Sequence, residues 1–124
     1  MTTVILTIRK EQIRVFDEMA MKQFIERMAI HIRKHFPEES KSMDDEQMKN
    51  LISNLIPAAK KYGLVSERDI CTYINLSMFY GTDFDKKPDN KWMADMLIDR
   101  SEPNPSIRIK KLYKEVLNRL EEQA

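Results

Sequence analysis

Two histidines, one cysteine and a short acidic stretch are the residues whose types and spacing could do chemistry in this chain. His31 and His35 stand four apart, so on a helix they share a face and could hold one ion between them. No third ligand is marked by spacing. Both fall near the end of a helical pattern, where histidine is favoured by the negative end of the dipole. Asp83, Asp85 and Asp89 begin with a weakly calcium-like D-x-D, but the later Gly and Glu of a calcium-binding loop do not follow. As a catalytic pair they have no Gly-rich loop and no candidate base beside them, so Asp85 or Asp89 is expected to cap the next helix. Cys71 has no histidine near it in sequence and reads as a packed thiol. These residues point to a protein that is not an enzyme, with no catalytic residues, no metal and no cofactor.

Binding surfaces are the next possibility. Ala59-x-x-x-Gly63-Leu64 resembles the centre of DNA-binding helix pairs, with the following helix as the reader. The first turn of that helix is Glu67, Arg68 and Asp69, and two carboxylates there would meet phosphates with the wrong sign. A structural corner is the first reading, and a small helix-turn-helix-like nucleic-acid-binding regulator is the alternative. A basic run near the C-terminus, Arg108, Lys110, Lys111 and Lys114, reads first as a solvated helix face; these four are also the candidate partner-binding residues, suited to an acidic protein surface or, less often, RNA. Arg119, Arg27, Arg33 and Lys34 extend the basic character. Nine methionines is a high number, and most fall on apolar stripes, where they either fill a core or form a groove for a partner helix.

The elements that must position these residues are helical. A chain of 124 residues makes one domain, residues 1–124. Charged residues are 33% and hydrophobic ones 42%, which excludes a disordered chain. Lys and Arg number 21 against 20 Asp and Glu, so no global field draws the protein to nucleic acid or an anionic membrane. No apolar run approaches the ~20 residues that span a bilayer, and the start does not read as a signal peptide. One cysteine allows no internal disulfide, so a cytoplasmic setting is expected. Two glycines argue against hairpins and for helices.

The expected fold is all-α: a single domain of about five helices with short connections. Residues 1–8, containing TTVILTI, read as an extended arm. A first helix over 9–35, capped by Thr7, buries Ile13, Phe16, Ala20, Phe24, Met28 and Ile32, flanked by Met21 and Ile25. PEESK is a linker. Ser42 caps the second helix, with Asp45 three residues on, and Met48, Leu51, Ile52, Leu55, Ile56, Ala59 and Tyr62 face inward around a kink at Pro57. Gly63 stops that helix, and Ser66 with Asp69 starts the third, so a sharp corner separates them; Val65 is expected to clamp on Ile70. The third helix buries Ile70, Tyr73, Ile74, Ser77 and Met78 and ends at Gly81. Phe84 plugs the core from the loop over 82–90. A fourth helix over 91–100 turns Trp92, Met93, Met96 and Leu97 inward. A fifth, with Asn104 as cap and Pro105 first, runs to about Leu120 on Ile109, Tyr113, Val116, Leu117 and Leu120.

RKEQIRVFDEMAMKQFIERMAIHIRKHFPE, YGLVSERDICTYINLSMFYGTDFD and Trp92 together resemble a family of small helical proteins of Gram-negative bacteria, over most of residues 8–98. The resemblance implies an origin in type VI secretion gene islands, beside spike proteins and toxin effectors. It implies an effector accessory factor, a chaperone or adaptor, or a cytoplasmic immunity protein. The implied partner is a secreted effector or spike component. No catalytic residues come with it. Pro57 departs from the unbroken helix expected of the family.

Overall fold

Four-residue spacing of Phe24, Met28 and Ile32 gives the first described helix, α1 (Glu18–His35), its buried face. The structure, a computed structural model, describes residues 18–123. The expected arm over 1–8, the Thr7 cap and the inward placement of Ile13 and Phe16 lie outside the described residues. Phe36 and Pro37 end α1 as expected. The next segment is not the linker that PEESK suggests. Pro37–Ser40 is one helical turn, α2, with the proline at the position where its missing N–H costs nothing. Ser40 is buried, and its hydroxyl donates to the Phe36 carbonyl at 2.8 Å. Arg33 fastens this turn by donating to the carbonyls of Ser40 at 3.2 Å and Met43 at 2.9 Å, and to the Asp45 carboxylate at 3.2 Å.

That turn carries the chain past Ser42, so the cap of α3 (Asp45–Lys60) is Asp44 and not Ser42. The Gln47 N–H donates to Asp44 Oδ1 at 2.7 Å, and the Asp44 N–H donates to Gln47 Oε1 at 2.9 Å. This is a full capping box, made by a side chain long enough to reach back; Asp45 sits at the first helical position. Met48, Ile52, Leu55, Ile56 and Ala59 are buried, with Leu51 and Tyr62 packed at the edge. The helix runs on past Pro57, which lies on the exposed side.

The corner forms as the sequence dictates. Gly63 takes φ +83°, its N–H donates to the Lys60 carbonyl at 2.9 Å, and Leu64 folds under, fully buried. A second reason for glycine is tertiary: a Cβ here would stand 2.8 Å from Pro105 Cγ. Ser66 caps α4 (Glu67–Tyr80) by accepting from the Asp69 N–H at 3.1 Å. Val65, expected to clamp on Ile70, is exposed. α4 buries Ile70, Tyr73, Ile74 and Ser77 as expected, and Asp69 and Leu76 as well; Met78 is partly buried.

Gly81, at φ +99°, closes α4, and Lys87 reaches back to the Tyr80 carbonyl at 3.0 Å. Two 3-10 turns follow, Phe84–Lys86 and Pro88–Asn90, and Phe84 is wholly buried. Neither Asp85 nor Asp89 caps α5 (Lys91–Leu97). Asn90 holds that position without a side-chain capping bond, because the second 3-10 turn already leads into the helix, and its amide instead donates to the Phe84 carbonyl at 3.1 Å. α5 stops three residues short of the expected 91–100. A tight turn in which Ser101 N–H and Oγ donate to Asp99 Oδ1 (2.9 and 2.7 Å) takes over. Asn104 Oδ1 then accepts from the Ser106 N–H at 2.9 Å and starts α6 (Pro105–Gln123).

Among the described residues the result is an all-α domain of six helices with α4 at its centre. α1, α3 and α6 pack against α4, and α5 packs on α6 with the 3-10 turns beneath it. The buried face of α6 is Ile109, Leu112 and Val116 with Leu120 at its edge. Tyr113 and Leu117, expected to face inward, are 41% and 45% exposed. The inward stripe is thus shifted toward Leu112, on the side where α5 lies.

Candidate functional site

α1 and α6 each pack on α4, and the space left between them is a groove of about 350 Å³. Leu76 and Val116 form its floor, and Phe36, Phe79, Tyr113, Leu117 and Leu120 form its walls. Phe79 stands outside the buried stripe of α4 and is 54% exposed, while Tyr113 and Leu117 overshoot the buried stripe of α6. Three large apolar side chains therefore meet solvent in one concavity, which is the kind of surface that marks an interaction site. Among the described residues no methionine lines it. Met28, Met48 and Met93 are core, and Met21, Met43, Met78 and Met96 pack against the core.

His31, His35 and Asn75 form the polar edge of the groove. The two imidazoles stack obliquely with ring centres 4.5 Å apart. His31 Nε2 lies 2.8 Å from Asn75 Oδ1, so the Nε2–H tautomer donates to the amide oxygen. Among the described residues no group of three His, Cys, Asp or Glu side chains could hold a metal ion. Cys71 is half-buried one turn before Asn75, whose amide nitrogen stands 3.9 Å from the thiol. Burial pushes the Cys71 pKa up, and the Asn75 contact only partly offsets it, so the thiol is a poor nucleophile at neutral pH.

The acidic stretch is used structurally. Asp83 sits in the left-handed region at φ +59° with its carboxylate 3.5 Å from Lys86 Nζ. Asp85 accepts a hydrogen bond from the Tyr62 hydroxyl, and Asp89 is exposed. Tyr62, Tyr73 and Phe84 form a chain of rings with centres 6.0 and 5.4 Å apart. Burial, then the bond to Asp85, holds the Tyr62 phenol well above the usual tyrosine range; burial, then the charges of Asp85 and Asp83, does so for Tyr73.

The four basic residues singled out on α6 are not one patch. Arg108 donates to the Glu102 carbonyl at 2.6 Å, and Lys111 Nζ lies 4.0 Å from the Glu102 carboxylate, on the side of the helix facing the preceding turn. Arg119 belongs to that side too, with its guanidinium 3.6 Å above the Trp92 ring. Lys110 and Lys114 lie on the other side. Each stands three residues before a groove wall, Tyr113 and Leu117, and so neighbours it on the helix surface. On α1, Arg27 is bound to Glu67 at 2.6 Å and Arg33 to the α2 turn, which leaves Lys34 exposed beside His31. The first turn of α4 is likewise committed: Glu67 pairs with Arg27, and Asp69 is buried.

Lys110 and Lys114 were legible as charges but not as neighbours of an apolar groove. Phe79 was the missed residue, and its signal was a large aromatic off the buried stripe. No helix of the described residues is long and apolar enough to cross a membrane. No family model matches the chain, and no curated protein and no solved structure is significantly similar to it.

Proposed function

We propose that the chain is a non-enzymatic binding protein that holds an apolar segment of a protein partner in the groove between α1, α4 and α6. The observation that carries this reading is the meeting of Phe79, Tyr113 and Leu117, all substantially exposed, in one concavity. The residues that suggested chemistry support it from the other side. Cys71 is held as a weak nucleophile, and Asp83 and Asp85 are tied into the 3-10 turn.

The partner follows from the resemblance around helices α1 and α4: a secreted effector or spike component of type VI secretion, for which this chain acts as chaperone, adaptor or immunity protein. A pull-down of the products of the neighbouring genes tests it. The wild-type chain retains one of them, and Phe79→Ser or Leu117→Ser releases it. Retention of none at micromolar concentration overturns the reading. A mobility shift of DNA at low salt that weakens steeply as salt rises would restore the helix-turn-helix alternative in its place.

A further inference from the structure

We propose that the segment this groove accepts is an amphipathic helix whose apolar stripe is flanked by acidic residues. This rests on the groove being a protein-docking site and adds what docks there. Two observations fix the occupant.

The first is the backbone chemistry of the walls. Every lining residue but Phe36 lies on a helix, so the backbone N–H groups of the lining are spent within the helices, and the Phe36 N–H donates to the Ile32 carbonyl at 2.7 Å. Such walls offer no unpaired row of donors and acceptors to an extended chain, which would have to leave its own backbone groups unsatisfied on entering an apolar groove. A helix brings its backbone already bonded and needs only side-chain complementarity. The α6 wall, from Tyr113 through Leu117 to Leu120, rises over two turns, about 10 Å at 1.5 Å per residue, which is the length of an i, i+4, i+7 stripe on a partner helix.

The second is charge. The α6 rim carries Lys110 and Lys114, and the α1 rim carries Lys34, all exposed. None of the three takes part in an ion pair among the described residues. Against them on the α6 rim stands Glu121, four residues after Leu117. The α4 wall contributes Asn75, Leu76 and Phe79, with no carboxylate; of the two glutamates beyond Phe36, Glu38 is paired with Lys41 at 2.8 Å and Glu39 is exposed on the α2 turn. An apolar trough between lysine-bearing rims selects glutamate or aspartate on both flanks of the stripe, and it disfavours lysine there.

The test uses the whole chain and two synthetic helical peptides with the same leucine stripe, one flanked by glutamates and one by lysines. Binding is read by fluorescence anisotropy of a label on the peptide. The glutamate peptide binds at least about tenfold tighter at low salt, and the gap narrows at high salt because exposed charges are screened. Lys110→Glu with Lys114→Glu abolishes or inverts the preference, and Phe79→Ser weakens both peptides alike. Equal affinity for the two peptides, or a preference for the lysine one, overturns the acidic flanks and leaves the groove reading intact. Binding of the glutamate peptide that survives Phe79→Ser places it elsewhere and overturns the proposal. Binding of neither peptide to the folded chain overturns both the proposal and the groove reading.

Discussion

α4 has one end and one face, and the chain treats them in opposite ways. At its start, the corner from Gly63 to Ser66 is closed on every side. The backbone turn needs a positive φ, Leu64 is tucked under, Ser66 caps the helix, and Pro105 of α6 leans against the glycine. Along its last turns, Phe79 faces water across from Tyr113 and Leu117. The same helix is thus anchored where its residues satisfy local rules and open where they break them. Apolar side chains that could have packed inward are left in a concavity, where they add little to stability but can add to binding. Substitutions at the two regions should therefore separate stability from binding.

The largest expected effect falls in the sealed core away from the groove. Phe84 is wholly buried against Tyr73 and Tyr80, so Phe84→Ala costs about 3–5 kcal/mol in chemical denaturation, while the affinity of the folded fraction for a groove peptide is unchanged. Gly63→Ala is next. It forces a left-handed alanine and drives a methyl to within 2.8 Å of Pro105, so a loss of about 2–4 kcal/mol is expected. Ser66→Ala removes one cap and costs about 1 kcal/mol. If Gly63→Ala or Ser66→Ala removed peptide binding from a folded protein, the corner would itself be a site and the contrast would collapse.

A smaller effect concerns pH. The folded state holds the Tyr62 proton above the range where an unfolded tyrosine, with a pKa of about 10, gives it up. Its contribution is complete below pH ~10 and is lost as pH rises further, because the unfolded chain then releases a proton that the folded chain retains. Tyr62→Phe makes the alkaline limb of a stability-against-pH curve shallower. An unchanged limb would show that burial and the bond to Asp85 do not hold the phenol.

Local chemistry was the legible part of this fold. Gly63, Ser66, Gly81, Phe84 and the Asn104-Pro105 start each state their role within a few residues of sequence, and each plays that role. Failures came where a distant residue decided the outcome. Ser42 looks like a cap as good as Asp44. It loses because Arg33, on the preceding helix, binds the carbonyls of Ser40 and Met43 and carries the chain onward to Asp44 and its box with Gln47. On α6, Tyr113 and Leu117 fit the apolar spacing as well as Leu112 does. Which flank of a stripe is covered depends on where the neighbouring helices cross, and a single helical pattern does not contain that. The basic run on α6 split for the same reason. Arg108 and Lys111 turn to Glu102, whereas Lys110 and Lys114 border the groove, and only the packed arrangement separates them.

The central contrast is tested most directly by measuring one variant in two ways. Phe79→Ser is half in solvent already, so urea denaturation should show a loss of about 1 kcal/mol or less. Titration of the same variant with the glutamate-flanked peptide should show affinity at least about tenfold weaker than wild type. A loss of about 3 kcal/mol or more would make Phe79 a core residue, and an unchanged affinity would make the groove an idle surface; either result contradicts the account.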